Sequence, residues 1–257
     1  MTGVALVTGG GTGIGAAVAR RLAADGYMVA VTGRRAAPID EVARSIGGLA
    51  IVADTGVVAD ADRAVAETVA RYGSLDALVL NAGRGGEGSL LDLDPAVFEQ
   101  VFATNVTGAF LVARAAIPYL IDVRGAIVSI ASVSAMRATA SSLAYCSSKA
   151  ALMMLTRCIA VDHGPVGVRA NCLCPGWVHT PMADGEMDAL GRGSREEAYA
   201  EVTADVPLRR ASMPEEIAGA VAWLLSDDAS YVNGSVIAVD GGVTAVDVGT
   251  LAFGRMP

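Results

Sequence analysis

The chain has 257 residues, of which 53% are hydrophobic and 18% charged, and its formal charge is −8. That apolar share excludes a disordered chain, and the length favours one large α/β domain, 1–257, over two ordinary ones. With 19 basic against 27 acidic residues, neither nucleic acid nor anionic membrane is expected as a partner, so any phosphate ligand must be held by a local site.

The opening MTGVALVTGGG has no basic segment ahead of its glycines, and no signal peptide is expected. The longest apolar stretch, around Val101 to Val123, is cut by Arg114 and Asp122, and no membrane span is expected. Four cysteines (Cys146, Cys158, Cys172, Cys174) sit among apolar residues and read as reduced thiols. The Cys172-x-Cys174 pair is too close for the usual zinc spacing and has no second pair, so no metal is expected. A cytoplasmic location follows from these features together.

Short apolar strands alternate with amphipathic helices along the chain. The first strand is read at 4–7, followed by a glycine-rich turn at 9–15 and a helix to about residue 25. The second strand is read at 27–32. Pro38 opens the next helix and Gly47-Gly48 ends it. A third strand at 49–53 and a helix at 61–72 follow, then a fourth strand at 75–80 stopped by Asn81-Ala82-Gly83. Pro95 begins a long helical stretch to about 121. Further strands are expected at 126–131, 168–173 and 235–239, with helices at 143–163 and 214–225. Residues 177–205 break the rhythm with Pro, Gly and charge, and read as a mobile insertion or lid over a substrate. Strands that are apolar throughout are buried on both faces. Repeated βα units therefore predict a three-layer, doubly wound Rossmann-type α/β fold with a parallel sheet of about seven strands.

Between the first strand and its helix lies Thr8-Gly9-Gly10-Gly11-Thr12-Gly13-Ile14-Gly15. A glycine cluster alone can be a mere turn. In this position the backbone must bend sharply, approach a ligand closely and offer the free N–H groups of a helix start, which suits the pyrophosphate of a dinucleotide. Gly9, Thr12, Gly13 and Ile14 are the candidate contacts. The second strand ends in Val31-Thr32-Gly33-Arg34-Arg35, with no carboxylate to accept hydrogen bonds from a free ribose 2′-hydroxyl. A guanidinium grips a 2′-phosphate instead, so Gly33, Arg34 and Arg35 favour NADP(H), with NAD(H) still open. A solvated loop is the competing reading, most of all for Arg35. At the end of the third strand, Asp54 and Thr55 are further cofactor candidates, Asp54 either meeting the adenine amino group or capping a helix.

Tyr145-Cys146-Ser147-Ser148-Lys149 opens a helix, and the i, i+4 spacing puts phenol and ammonium on one face. A free tyrosine titrates near ~10, and a neighbouring lysine charge lowers that value, so Tyr145 is expected to act as acid in carbonyl reduction and as base in alcohol oxidation. Ser132, at the carboxyl end of the fifth strand, is placed to polarise a substrate oxygen. Lys149 is the single lysine beside 18 arginines, which is either chance or a position that arginine cannot fill.

These motifs, Thr8–Gly15, Asn81-Ala82-Gly83, Asn105, Ser132, Tyr145, Lys149 and Pro175-Gly176, appear in this order over nearly the full chain, which resembles the short-chain dehydrogenase/reductase family in its single-domain form. The resemblance implies that Ser132 orients a carbonyl, that Tyr145 transfers the proton, and that Lys149 lowers the tyrosine pKa and holds the nicotinamide ribose. It implies that Asn105 holds a water in a proton relay, although its residues alone read as a polar group kinking a helix. It places Asn81, Ala82 and Gly83 at the cofactor, with Pro175, Gly176, Val178 and Thr180 near the nicotinamide carboxamide. It also implies a homotetramer and a small carbonyl or alcohol substrate.

Two departures stand out. Neutral Thr12 occupies the place where many NADP-using relatives have a basic residue, so the cofactor reading rests mainly on Arg34. The loop Arg84-Gly85-Gly86-Glu87-Gly88 is unlike that of the fatty-acid 3-oxoacyl reductases. The expected activity is therefore NADP(H)-dependent hydride transfer between nicotinamide and a ketone or secondary alcohol. An NAD-dependent alcohol or dihydrodiol dehydrogenase, a 3-oxoacyl-thioester reductase and an NADP(H)-sensing regulatory protein are the alternatives. His179 reads as lid surface and His163 as structural. Met136, Leu143, Trp177 and Met182 read as an apolar pocket wall. Arg84 and Arg137 are either anion anchors or surface residues. The apolar tail through Leu251, Phe253 and Met256-Pro257 is expected to pack on its own or a neighbouring subunit.

Overall fold

In the computed structural model, which describes residues 3–250 apart from the side chain of Val248, the apolar runs become strands. They are β1 (Val4–Thr8), β2 (Met28–Gly33), β3 (Leu49–Val52), β4 (Ala77–Leu80), β5 (Ala126–Ile130), β6 (Arg169–Pro175) and β7 (Val236–Val239). They form one sheet in the order β3-β2-β1-β4-β5-β6-β7, and every pairing is parallel. The strand order reverses between β1 and β4, which opens a crevice at their carboxyl ends.

Side chains alternate across this sheet and build two cores. Ala5, Val7, Val29, Val31, Val79 and Val128 pack under helices α1 (Gly13–Ala24), α2 (Ala36–Ile46) and the late helix Pro214–Leu225. Val4, Leu6, Ala30, Leu78, Leu80 and Ile127 pack on the other face under α3 (Val58–Tyr72) and the segments Pro95–Val123 and Leu143–His163. Both faces are covered, so the strands carry no polar alternation, as the three-layer fold requires.

The 95–123 stretch is not one regular helix. It is α4 (Pro95–Phe102), a π-helical turn at Ala103–Thr107 and α5 (Gly108–Val123). Asp94 caps its start through the Ala96 N–H. Its length and hydropathy match a membrane-crossing helix, but Leu111, Val112, Ala116 and Leu120 are buried in the second core.

Residues 143–163 form α6 (Leu143–His163), as read from the sequence. The 177–205 segment differs from the irregular insertion expected there, because it contains α7 (Pro181–Leu190) and α8 (Arg195–Val202). Thr180 caps α7 through the Ala183 N–H with Pro181 in the first turn, and Ser194 and Glu197 close a capping box on α8. Ala183, Met187, Ala198, Tyr199 and Ala211 form a small core of their own beneath. Helix α9 (Pro214–Leu225) packs on α1. Asp240 accepts hydrogen bonds from the Gly242 and Thr244 N–H groups and so folds the start of the tail. Leu251, Phe253, Met256 and Pro257 lie outside the described residues.

Candidate active site

The turn after β1 is shaped by two glycines with positive φ. At Gly9 (φ 63°) a Cβ would stand 2.9 Å from the Ala82 Cα, and at Gly13 (φ 53°) one would stand 3.1 Å from the Thr180 Cγ2. Only glycine permits both the conformation and the approach. Thr12 precedes α1 without any side-chain cap, so the first-turn N–H groups and the positive end of the helix dipole are free to meet an anion. Gly9, Thr12, Gly13 and Ile14 line a cavity of about 300 Å³. Gly33, Arg34, Arg35, Asp54, Thr55, Asn81, Ala82, Gly83, Tyr145, Lys149 and Thr180 line it too. Arg34 and Arg35 are exposed, and neither has a hydrogen bond or ion pair among the described residues. Asp54 uses Oδ1 to accept the Gly56 N–H at 3.0 Å, so it serves the local turn while facing the cavity. This crevice fits a dinucleotide: an uncapped helix start suits the pyrophosphate, and two unpaired guanidinium groups flank the end of β2.

Thr8, the last residue of β1, does more than end a strand. Its buried hydroxyl donates to the Val79 carbonyl at 3.1 Å and accepts the Asn81 and Ala82 N–H groups at 2.9 and 3.0 Å. Asn81 returns its Nδ2 to the Thr8 and Gly9 carbonyls at 2.9 and 3.1 Å. The two loops that form the crevice are thereby stapled together. Thr8→Val keeps the shape and leaves two backbone donors unpaired, so a loss of about 2–4 kcal/mol in urea-unfolding stability is expected. A change below about 0.5 kcal/mol would show that the staple is dispensable.

Ser132 follows β5, and Tyr145 and Lys149 project from the first turns of α6. The Ser132 hydroxyl acts on the Tyr145 phenol, favouring its ionised form, and accepts the Ser134 N–H at 3.1 Å. Lys149 is buried, with Nζ donating to the Ile130 carbonyl at 2.8 Å and lying 5.6 Å from the Tyr145 ring centre. Burial pushes the lysine down to about 8. Burial also pushes Tyr145 up to about 12, against the lowering effect of the Ser132 hydrogen bond and with a small upward push from Glu186. The tyrosine is thus not depressed as its spacing to Lys149 suggested. Desolvation of the phenol outweighs the charge effects on it.

Asn105 sits in the π-helical turn and is fully buried. Its Oδ1 accepts the Arg84 N–H at 2.8 Å, and its Nδ2 donates to the Arg84 carbonyl at 3.0 Å and to the Ser148 Oγ at 2.9 Å. It lines neither cavity. Its side chain holds the loop after β4 against α6. The reading of a polar residue distorting a helix matches the geometry.

A second cavity, of about 680 Å³, adjoins the first and shares Ile14, Tyr145 and Thr180 with it. Ser132, Pro175, Gly176, Val178, Trp177 and Met182 line it, with Ala183 and Glu186 of α7 opposite. Met136 and Leu143 do not line it; Met136 is exposed at the end of a 3₁₀ turn. Arg84 points away, donating to the Gln100 Oε1 at 2.7 Å. Arg137 does line the cavity, but its Nη1 is tied to the Val243 carbonyl at 2.9 Å. His179 packs against Tyr199 with the rings tilted by 51° and 4.1 Å between centres, and it lines neither cavity.

Three features escaped sequence reasoning. The staple role of Thr8 depends on a loop 73 residues away. Glu87 and Glu186 meet across the second cavity from distant segments. The helices α7 and α8 could have been found, because Thr180-Pro181 and Ser194-x-x-Glu197 are helix-start signatures.

Residues 9–244 match a family model described as enoyl-(acyl carrier protein) reductase. The protein MoaE of Klebsiella aerogenes is 42% identical, covering 98% of this chain and 100% of its own. The 2-(R)-hydroxypropyl-CoM dehydrogenase of Xanthobacter autotrophicus is 37% identical, covering 96% of this chain and 100% of its own. The crystal structure of an actinorhodin polyketide ketoreductase variant with NADPH superposes with a TM-score of 0.91 at 32% identity, over 95% of this chain and 98% of that one. With the glycine cradle, the Ser132–Tyr145–Lys149 set and these full-length matches in agreement, the chain is an oxidoreductase that belongs to the short-chain dehydrogenase/reductase family.

Proposed function

We propose that the protein is an NADP(H)-dependent oxidoreductase that interconverts a ketone and a secondary alcohol, with Tyr145 as proton donor and acceptor. The observation that carries this reading is that the two cavities meet at Tyr145, which lines both. The glycine cradle and Lys149 lie on one side, and the Ser132 and Tyr145 hydroxyls face the other. When bound, the nicotinamide supplies or accepts the hydride. Lys149 would hold the ribose next to it, and the α1 N-terminus would hold the pyrophosphate. Ser132 orients the substrate oxygen, and Tyr145 gives it a proton in reduction or takes one in oxidation. Helices α7 and α8, hung on Thr180 and carrying their own small core, act as the lid that excludes water.

The NADP preference rests on Arg34, which is exposed, unpaired and turned to the cavity at the end of a strand with no carboxylate. The NADPH in the ketoreductase neighbour is in keeping with it. Titration of the purified protein with each nucleotide is expected to show NADPH bound at least about tenfold tighter than NADH, and Arg34→Asp is expected to reverse the order. Tighter NADH binding by the unmodified protein, or an unchanged preference in the variant, would overturn the assignment. A homotetramer belongs to the same reading, supported by the exposed Phe110, Met154 and Val161 on α5 and α6. A cytoplasmic location does too, supported by four unpaired cysteines.

A further inference from the structure

The second cavity carries charge that the proton-transfer chemistry does not use. Glu87 stands between Gly86 and Gly88, on a loop tied to the start of α6 by the Gly88 N–H, which donates to the Ser141 carbonyl at 2.8 Å. Glu186 lies on α7, on the same helical face as Met182 and Ala183, which also line the cavity. Neither carboxylate has a hydrogen bond or ion pair among the described residues. The other α7 carboxylates differ: Asp184 and Asp188 are both paired with Arg195, on the outer side of the lid. Among the described residues the one cation in the cavity wall is Arg137, and it is engaged by the Val243 carbonyl and drawn toward Asp240.

Glu186 is half-buried and Glu87 is exposed at the cavity rim, and the two unpaired carboxylates repel each other. The Glu186 carboxyl is held above the usual carboxylate range, by burial first and by Glu87 second. An arrangement of this kind is relieved by a cation placed between the two groups. An isolated acidic pair on a surface would say nothing of a ligand, but this pair lines the same cavity as Ser132 and Tyr145, where the substrate's carbon must lie.

We infer that Glu87 and Glu186 select substrates in which the ketone or secondary alcohol carries an ammonium group, held between the two carboxylates while Ser132 and Tyr145 hold the reacting oxygen. This rests on the oxidoreductase reading of the cavity. It makes Glu87 and Glu186 specificity residues and gives the lid a reason to close, because α7 brings one of the two carboxylates to the bound cation.

The test uses the full-length enzyme loaded with NADPH and three methyl ketones sharing one spacer. One ends in trimethylammonium, one in its neutral tert-butyl isostere and one in sulfonate. The cationic ketone is expected to exceed the neutral isostere in kcat/KM by about tenfold or more, and the sulfonate is expected to be the poorest. Glu186→Gln is expected to bring the cationic and neutral ketones within about threefold of each other in kcat/KM, and Glu87→Gln is expected to act in the same direction more weakly. Equal use of cation and isostere by the unmodified enzyme overturns the inference and leaves the oxidoreductase reading intact. Preference for the sulfonate overturns it in favour of Arg137 as an anion anchor. Should NADPH bind and none of the three ketones turn over, the ketone–alcohol reading of the cavity fails and takes the inference with it. A second readout needs no turnover: the trimethylammonium alcohol should bind the cofactor-loaded Tyr145→Phe protein about tenfold tighter than its tert-butyl isostere, and equal binding counts against the inference.

Discussion

Tyr145→Phe is expected to lower turnover about 1,000-fold in both directions while leaving nucleotide binding unchanged, because the ring stays and only the proton carrier goes. Carbonyl reduction places negative charge on the substrate oxygen, and that oxygen needs a proton as the charge develops. The phenol pushed up to about 12 is fully protonated at neutral pH, so it is a ready acid for reduction. Alcohol oxidation needs the opposite state, and the phenol must first lose its proton. The sign follows directly. Reduction should be nearly flat from about pH 6 to about pH 9, and oxidation should climb across the same range. Measuring kcat in both directions over that range, for the unmodified and Phe proteins, checks both parts. Near-normal turnover by the variant, or an oxidation rate that does not rise with pH, would remove Tyr145 from the chemistry.

The same geometry explains why Ser132 and Tyr145 act as a unit. Ser132 lowers the pKa of the phenol and is itself held by the Ser134 N–H, so its hydroxyl is oriented before any substrate arrives. Preorganised donors of this kind cost no reorganisation during the reaction. Asn105 contributes at one remove. By clamping both backbone groups of Arg84 and the Ser148 hydroxyl, it fixes the loop after β4 against the helix that bears Tyr145 and Lys149.

How much of this could be read beforehand depends on the range of the interaction concerned. The strands were legible because burial on both faces leaves uninterrupted apolar runs such as Val4–Thr8 and Ala126–Ile130. The glycine cradle and the Tyr145–Lys149 spacing were legible because turn chemistry and helix periodicity are local. The lid helices were encoded just as locally, in Thr180-Pro181 and Ser194-x-x-Glu197, but the glycines and charges around them read as loop. The π-helical turn at Asn105 was not legible, since the widening is held by contacts to Arg84 and Ser148 in other elements. The high tyrosine and low lysine were not legible either. Spacing reports that two charges can meet; it does not report how dry the place is, and here dryness sets both values.

That dryness makes Lys149→Met the second informative change, because it should cost activity and raise stability. Lys149 is buried, and its ammonium donates to the Ile130 carbonyl at 2.8 Å. The lysine pKa falls from 10.5 to about 8 on burial, which corresponds to a penalty on the order of 3 kcal/mol on the folded, cofactor-free protein at neutral pH. Methionine has a similar length and no charge to desolvate. Its cost is the lost hydrogen bond, about 1 kcal/mol. The variant should therefore be more stable by about 2 kcal/mol at pH 7, or about 4–8 °C in Tm. The pH dependence has a definite sign. Below about pH 8 the lysine is protonated in both folded and unfolded chains, and the penalty is present in full. As pH rises from about 8 toward 10.5 the folded chain binds fewer protons than the unfolded one, so the unmodified protein gains stability and the advantage of the variant shrinks. Turnover should fall at least about 100-fold at every pH, since the ammonium that would hold the ribose beside Tyr145 is gone. Thermal melts of the two cofactor-free proteins at neutral and alkaline pH, set beside their turnover, test this directly. A variant that melts lower than the unmodified protein at pH 7 would show that the buried ammonium stabilises the fold, and that its position is not a concession made for catalysis.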